Sequence, residues 1–176
     1  MLILLSGGSK SGKSMLAQEL TRRLAQGGPM YYWAAMEPTD EEDRARIRRH
    51  RQERLGWGYE TVEQGRDLEA AFSRVDPRGT VLFDSTTALL ANEMFREPFD
   101  ETAPERSLRS LLALGRYVRN VVYVSDSLYS DSGRYDLWTE RYRAGLGRID
   151  RGLARVCDAA AEVSAGIPIL HKGELP

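Results

Sequence analysis

An α/β fold, a mostly parallel sheet flanked by helices, is predicted by three observations. Short apolar runs alternate along the chain with longer amphipathic segments. A glycine-rich loop, Gly7–Ser14, joins the first run to the first amphipathic segment. The third buried run, Thr80–Asp84, ends in a carboxylate. Short runs of this kind suit strands buried on both faces and joined by helical crossovers.

Each element follows from its pattern. Leu2–Ser6 is a continuous apolar run, hence a buried strand. Lys13–Gln26 is a helix, with Leu16, Leu20 and Leu24 on one face and Gly27–Gly28 as its stop. Met30–Met36 is a second, aromatic-rich strand. Thr39 or Asp40 then caps a very polar helix over about Glu41–Arg54. Glu60–Glu63 reads as a short strand and Asp67–Arg74 as a short helix. Thr80–Asp84 is the third buried strand, and Thr86–Phe95 is helical. Thr102 and Glu105 have capping-box spacing, with Pro104 in the first turn of a helix reaching about Tyr117. Asn120–Ser125 is the fourth buried strand, followed by a loop rich in Ser, Asp and Gly over Ser125–Tyr135. A long amphipathic helix spans about Asp136–Ala161, its stripe built from Tyr142, Leu146, Ile149, Leu153, Val156 and Ala160. Such a stripe is core, and Cys157 beside it reads as a small buried hydrophobe. Glu162–Ser164 and Ile167–Leu170 are closing strands. With no repeat and no linker, residues 1–176 are expected to form one domain.

Composition narrows the function classes. A chain of 176 residues, 41% hydrophobic and 29% charged, has enough apolar residues for a core. Its net charge of −1 argues against nucleic acid as a partner. No apolar run approaches the roughly 20 residues of a membrane span. The run at Leu2 lacks a preceding basic residue and is too short for a signal peptide. One cysteine excludes an internal disulfide framework, so a cytoplasmic location is expected. One cysteine and two scattered histidines argue against a zinc site.

The loop carries the clearest chemistry. Gly7-x-x-x-x-Gly12-Lys13-Ser14 has the spacing of a phosphate-binding P-loop. Glycines let the backbone of Gly7, Gly8, Ser9, Lys10, Ser11 and Gly12 curl with its N–H groups inward. Lys13 would neutralise the β- and γ-phosphate oxygens. The Ser14 hydroxyl would ligate Mg²⁺, and the helix N-terminus adds partial positive charge. An acid ending a neighbouring strand completes such a site, and Asp84 is placed to hold Mg²⁺ directly or through water. The same carboxylate could instead cap the next helix, a task Ser85 or Thr86 could share.

A second feature is a basic helix. Arg44, Arg46, Arg48, Arg49, Arg51 and Arg54 surround His50, with Ile47 the only large apolar residue nearby. Balanced by Glu41, Glu42 and Asp43, this could be a solvated face. Alternatively, neighbouring arginines keep His50 neutral, a nucleophile or base, while they hold the phosphates it attacks.

Taken together, the chain resembles the bifunctional adenosylcobinamide kinase / adenosylcobinamide-phosphate guanylyltransferases of cobalamin biosynthesis, nearly end to end. The resemblance rests on Gly7–Ser14, Arg46-Ile47-x-x-His50-Arg51-x-x-Arg54, Glu60–Glu63, Leu82–Phe95 with Asn92 inside it, Val121–Ser125, Leu146-Gly147-x-Ile149, Leu153-Ala154 and Gly166-Ile167-Pro168. It implies a P-loop domain similar to the RecA core. It also implies two reactions. An NTP, ATP or GTP, phosphorylates adenosylcobinamide, and GTP then guanylylates a histidine that passes GMP to adenosylcobinamide phosphate. That histidine matches His50. Nucleotide contacts carry over to Gly7–Ser14, Ala34, Ala35, Met36, Arg51, Gln52, Glu53, Arg54, Glu63 and Asp84. Known members form trimers, so a homo-oligomer is implied. The chain departs from the family pattern at Asp126-Ser127, usually Asn-Glu, and at Asp150, usually Asn. The strand-end acid Asp84 is often Glu, and the loop Ser130–Tyr135 is longer. Competing readings are another small-molecule P-loop kinase, in which His50 has no covalent task, and a relative that binds nucleotide but has lost one activity. A GTPase switch would need an Asn-Lys-x-Asp motif, which the sequence lacks.

Overall fold

The computed structural model describes residues 1–38, 41, 45, 48, 52, 56–130 and 132–176. Among these, seven strands form one sheet in the order β3-β2-β4-β5-β1-β6-β7. They are β1 (Leu2–Ser6), β2 (Met30–Ala34), β3 (Tyr59–Glu63), β4 (Thr80–Asp84), β5 (Asn120–Val124), β6 (Ala159–Ser164) and β7 (Ile167–Lys172). Neighbouring strands are parallel except β6 and β7, an antiparallel hairpin at one edge. The central strands are buried because helices cover both faces, which explains their unbroken apolar runs.

The helices are α1 (Lys13–Ala25), α2 (Thr86–Met94), α3 (Ala103–Tyr117) and α4 (Leu137–Val156), with a 3-10 helix at Leu68–Arg74. One core layer packs Trp33, Phe83 and Tyr123 of the sheet against Leu89, Leu111, Leu114, Leu146, Ile149 and Leu153. On the other face Leu20 and Ala17 of α1 pack on Ile3, Leu5, Leu82 and Val122. Glu41, Ala45, Arg48 and Gln52 are helical and exposed, and Arg48 pairs with Glu41 at 3.0 Å. The expected cap at Thr39 or Asp40 lies outside the described residues.

Three sequence expectations are corrected. The long helix ends at Val156, and Ala159–Ala161 belong to β6. Its stripe therefore stops at Leu153: Val156 is half exposed, and Ala160 faces the core from the sheet. Small alanines continue a helical period without specifying it, whereas pairing with β1 does specify the strand. Second, the side chain of Thr102 does not cap α3. The Asp100 carboxylate instead accepts from the Thr102 N–H and hydroxyl at 2.8 and 2.7 Å, while Arg106 bridges Asp100 and the buried Glu93. A nearby acid with a cationic partner outcompeted the hydroxyl. Third, β2 ends at Ala34, before Ala35 and Met36. Cys157 is buried, and burial pushes its thiol up to about 12.

Candidate active site

The parallel strands end in a single row. Glu63, Ala34, Asp84, Val124, Leu5 and Ala161 stand in register from β3 to β6. Loops that follow these strands converge at this edge, the usual site of ligands in such sheets. With strands ~4.8 Å apart, Asp84 lies ~10 Å across the sheet from β1, and Glu63 ~19 Å. The row therefore separates a phosphate end at β1 from a far end at β2 and β3.

The phosphate loop runs from β1 into α1. Its backbone is left-handed at Gly12, φ 97°, and at Lys10, φ 58°. A Cβ on Gly7 would lie 2.4 Å from the Val163 carbonyl, so only glycine fits there. Hairpin β6–β7 turns through Ala165 and Gly166 onto the loop, where the Gly166 N–H donates to the Ser11 carbonyl at 2.8 Å. This contact braces the loop from the side opposite β5. Ser9, Lys10 and Ser14 are exposed, as is Gly8, with Ser14 in the first turn of α1.

Lys13 is 6% exposed, and oxygens of three residues converge on its ammonium. The carbonyls of Gly7 and Gly8 lie at 3.0 and 2.6 Å, and Asp126 Oδ1 at 3.0 Å. These oxygens match the three protons of the ammonium group. They hold the lysine folded over the loop where phosphate oxygens would compete for it.

Asp84 ends β4, its Oδ2 accepting from the Tyr32 hydroxyl at 2.5 Å. Ser85 caps α2, its hydroxyl accepting from the Ala88 N–H, so the carboxylate is not needed as a cap. The Ala35 N–H donates to the Asp84 carbonyl at 2.9 Å, and the Ala35 carbonyl accepts from Asn92 at 2.7 Å. Asn92 also donates to the Gly65 carbonyl at 3.0 Å, tying the segments after β2 and β3 together. Ala34 and Met36 are half-buried there, and Glu63 is exposed. Gln52 is exposed on the polar helix, while His50, Arg51, Glu53 and Arg54 lie outside the described residues.

Sequence reasoning placed no role on Asp126 or Tyr32. A signal for Asp126 existed, since it follows a buried strand much as Asp84 ends one. Beside it lies a buried carboxyl, Asp150 on α4, 5% exposed. Its Oδ2 accepts from Ser125 and Tyr129, each at 2.8 Å, while its Oδ1 has no partner among the described residues. Burial pushes Asp150 up to about 6 and the charge of Asp126 adds to the rise, against the two hydrogen bonds.

That shift has a consequence for stability. An unfolded carboxyl loses its proton near 3.8, and the folded one near 6. Between these values the folded chain holds a proton that the unfolded chain has released, so stability falls as pH rises and the loss is complete above about 6. A difference of that size is worth roughly 3 kcal/mol as an upper figure. Asp150→Asn keeps the acceptor for Ser125 and Tyr129 without the charge. The variant is expected to gain about 1–3 kcal/mol near pH 8, several degrees in Tm, and to lose most of the slope. Urea denaturation near pH 5 and pH 8 measures it; a parent-like slope in the variant would contradict the assignment.

Among the described residues no group of three or more His, Cys, Asp or Glu side chains could hold a metal, and no helix is long and apolar enough to cross a membrane. Comparison with solved structures shows the fold. One solved ATPase domain superposes with a TM-score of 0.58 at 12% identity, covering 99% of this chain and 78% of that one. The flagellar accessory protein FlaH from Methanocaldococcus jannaschii gives 0.53 at 13% identity, with coverage of 98% and 78%. The fold is thus an α/β P-loop fold, a RecA-like, mostly parallel sheet flanked by helices.

Sequence relatives carry the comparison further. The bifunctional adenosylcobalamin biosynthesis protein CobU of Escherichia coli K12 is 28% identical, covering 98% of this chain and all 100% of the relative. The Salmonella typhimurium protein of the same name is 26% identical with the same coverage. CobP of Pseudomonas aeruginosa is 28% identical, with 97% of each chain covered. Residues 3–170 match the family described as CobU, and the chain belongs to this cobinamide kinase / cobinamide phosphate guanyltransferase family.

Proposed function

We propose that this chain carries out both reactions of its family at one phosphate loop. A nucleoside triphosphate, GTP or ATP, phosphorylates the hydroxyl of adenosylcobinamide. GTP then transfers GMP through His50 to adenosylcobinamide phosphate, giving adenosyl-GDP-cobinamide. The observation that supports this best is Lys13, folded over the phosphate loop onto the Gly7 and Gly8 carbonyls at the head of α1, in a chain matched over residues 3–170 by that family.

Each residue has a physical task in this reading. N–H groups of Gly8–Ser14 and the positive end of α1 face the phosphates. Lys13 leaves Asp126 for the β- and γ-oxygens. Ala34 and Glu63 at their strand ends, with Met36 just beyond β2, stand at the far end of the row, where the nucleoside would lie, and the fully buried Ala35 holds that segment through Asn92. Gln52, with Arg51, Glu53 and Arg54, brings the basic helix to the same nucleotide.

Mg²⁺ fits the residues present. It prefers hard oxygen donors and keeps several waters. The exposed Ser14 hydroxyl and the Asp84 carboxylate, one oxygen of which accepts from Tyr32, are such donors. Bound there, the ion would neutralise charge on the phosphates and the leaving group. His50 attacks the α-phosphorus of GTP only as neutral imidazole, and pyrophosphate departs. Splitting the transfer through a phosphoramidate replaces one difficult step with two easier ones.

In this reading residues 1–176 act as one nucleotide-binding domain, in the cytoplasm, as a homotrimer whose arginine helix completes a site with a neighbouring chain. Incubation with adenosylcobinamide, GTP and Mg²⁺ tests the function. Cobinamide phosphate should appear first and the GDP-linked corrinoid second. Phosphorylation of other small alcohols but not of adenosylcobinamide would contradict it.

A further inference from the structure

We propose that Asp126 is the base that takes the proton from the acceptor hydroxyl in the kinase step. The inference rests on the kinase reading above, and it concerns a residue to which that reading gives no catalytic task.

Position comes first. Strand β5 lies between β1 and β4, so the segment leaving it runs directly beside the phosphate loop. Its backbone is fixed at successive residues. The Ser125 N–H donates to the Leu5 carbonyl at 2.9 Å and the Ser127 N–H to the Gly7 carbonyl at 3.1 Å. The Asp126 N–H donates to the Thr87 hydroxyl at 3.0 Å. Contacts to β1, to the phosphate loop and to α2 thus hold this carboxylate over the loop. Its side chain is one-third exposed, so a substrate can reach it.

Distance comes second. Asp126 Oδ1 is 3.0 Å from Lys13 Nζ. A P-loop lysine touches the γ-phosphate, and the acceptor oxygen must approach that phosphorus in line with the bond that breaks. A carboxylate one contact from the lysine is therefore a near neighbour of the γ-phosphate that the hydroxyl attacks. Asp84 is worse placed. It stands one strand further out, and its Oδ2 accepts from Tyr32 at 2.5 Å. Where the family pattern has Asn-Glu, the one carboxylate of this pair stands at 126, and Ser127 has no basic group to offer, so D126N leaves the pair without an acid.

Charge comes third. With nucleotide bound, phosphate oxygens take the third proton of Lys13 while the Gly7 and Gly8 carbonyls keep the other two, so the lysine then needs no carboxylate. A negative group beside a triphosphate opposes nucleotide binding. As a mere counter-ion, Asp126 would weaken nucleotide binding and contribute nothing once the nucleotide is bound.

The step balances. The acceptor oxygen bonds to the γ-phosphorus while the bond from phosphorus to the bridging β–γ oxygen breaks. Its electron pair leaves with the nucleoside diphosphate. The hydroxyl proton passes to a carboxylate oxygen of Asp126 and then to water. General-base help of this kind contributes typically about 10²–10⁴-fold.

Asp126→Asn and Asp126→Glu provide the test, with two readouts: kcat for phosphorylation of adenosylcobinamide, and Kd for a non-hydrolysable GTP analogue. D126N is expected to lower kcat about 100-fold or more while nucleotide binding stays equal or tightens. D126E should recover part of the rate, since it restores a carboxylate. A structural role would give the opposite split, with weaker nucleotide binding and a matching fall in rate. D126N that keeps kcat within about threefold, or loses rate only through weaker binding, overturns the assignment. A wild-type chain that leaves adenosylcobinamide unphosphorylated overturns the kinase reading and the Asp126 role with it. An active wild type beside an active D126N overturns the Asp126 role alone.

Discussion

Replacing Lys13 with Ala is expected to abolish both half-reactions, with kcat/KM falling about 10³-fold or more for each. Both need a triphosphate held in the same loop, and Lys13 is the cation folded over that loop, 6% exposed and 3.0 and 2.6 Å from the Gly7 and Gly8 carbonyls. A preorganised cation aimed at developing phosphate charge is worth several kcal/mol in a water-poor site, which sets this magnitude. The fold should survive. Truncation leaves the two loop carbonyls and Asp126 able to take up water at a partly open edge, so the cost in stability should stay at about 1 kcal/mol. Initial rates of cobinamide phosphate and GDP-cobinamide formation check the claim. Retention of either activity near the parent rate would mean that the triphosphate sits elsewhere.

His50→Ala should divide the two activities. Guanylyl transfer should fall about 10⁴-fold or more, because a covalent intermediate has no other nucleophile to form on. Phosphorylation of adenosylcobinamide should continue, since the kinase step uses the phosphate loop and no imidazole. The only other histidine in the sequence, His171, sits on exposed β7, 3.7 Å from Glu162, and has no arginine cluster around it in sequence. The same rate measurements, made with adenosylcobinamide and with its phosphate as separate starting materials, distinguish the steps. Equal loss of both activities would assign His50 to nucleotide binding.

The sheet was legible in the sequence because β1, β4 and β5 are buried between helical layers and read as unbroken apolar runs. The phosphate loop was legible because close backbone packing demands glycine at fixed spacing, as the 2.4 Å approach at Gly7 illustrates. What was not legible depends on long-range pairing. The contact of Lys13 with Asp126 joins the head of α1 to the segment after β5, and that of Tyr32 with Asp84 joins β2 to the end of β4. No local pattern encodes either one. The brace of Gly166 on Ser11 exists only once β6 has paired with β1. Helix α4 was read too long because alanines at 159–161 satisfy a helical period as well as a strand. The burial of Asp150 was hidden for a related reason, since an isolated carboxylate on a helix normally faces solvent.

The central claim is a guanylyl-histidine at His50, and intact-mass measurement of the protein after incubation with GTP and Mg²⁺ tests it most directly. The account predicts a wild-type species heavier by one GMP, lost on addition of adenosylcobinamide phosphate and absent from His50→Ala. A wild-type mass unchanged by GTP, or a GMP adduct that persists in His50→Ala, would contradict it.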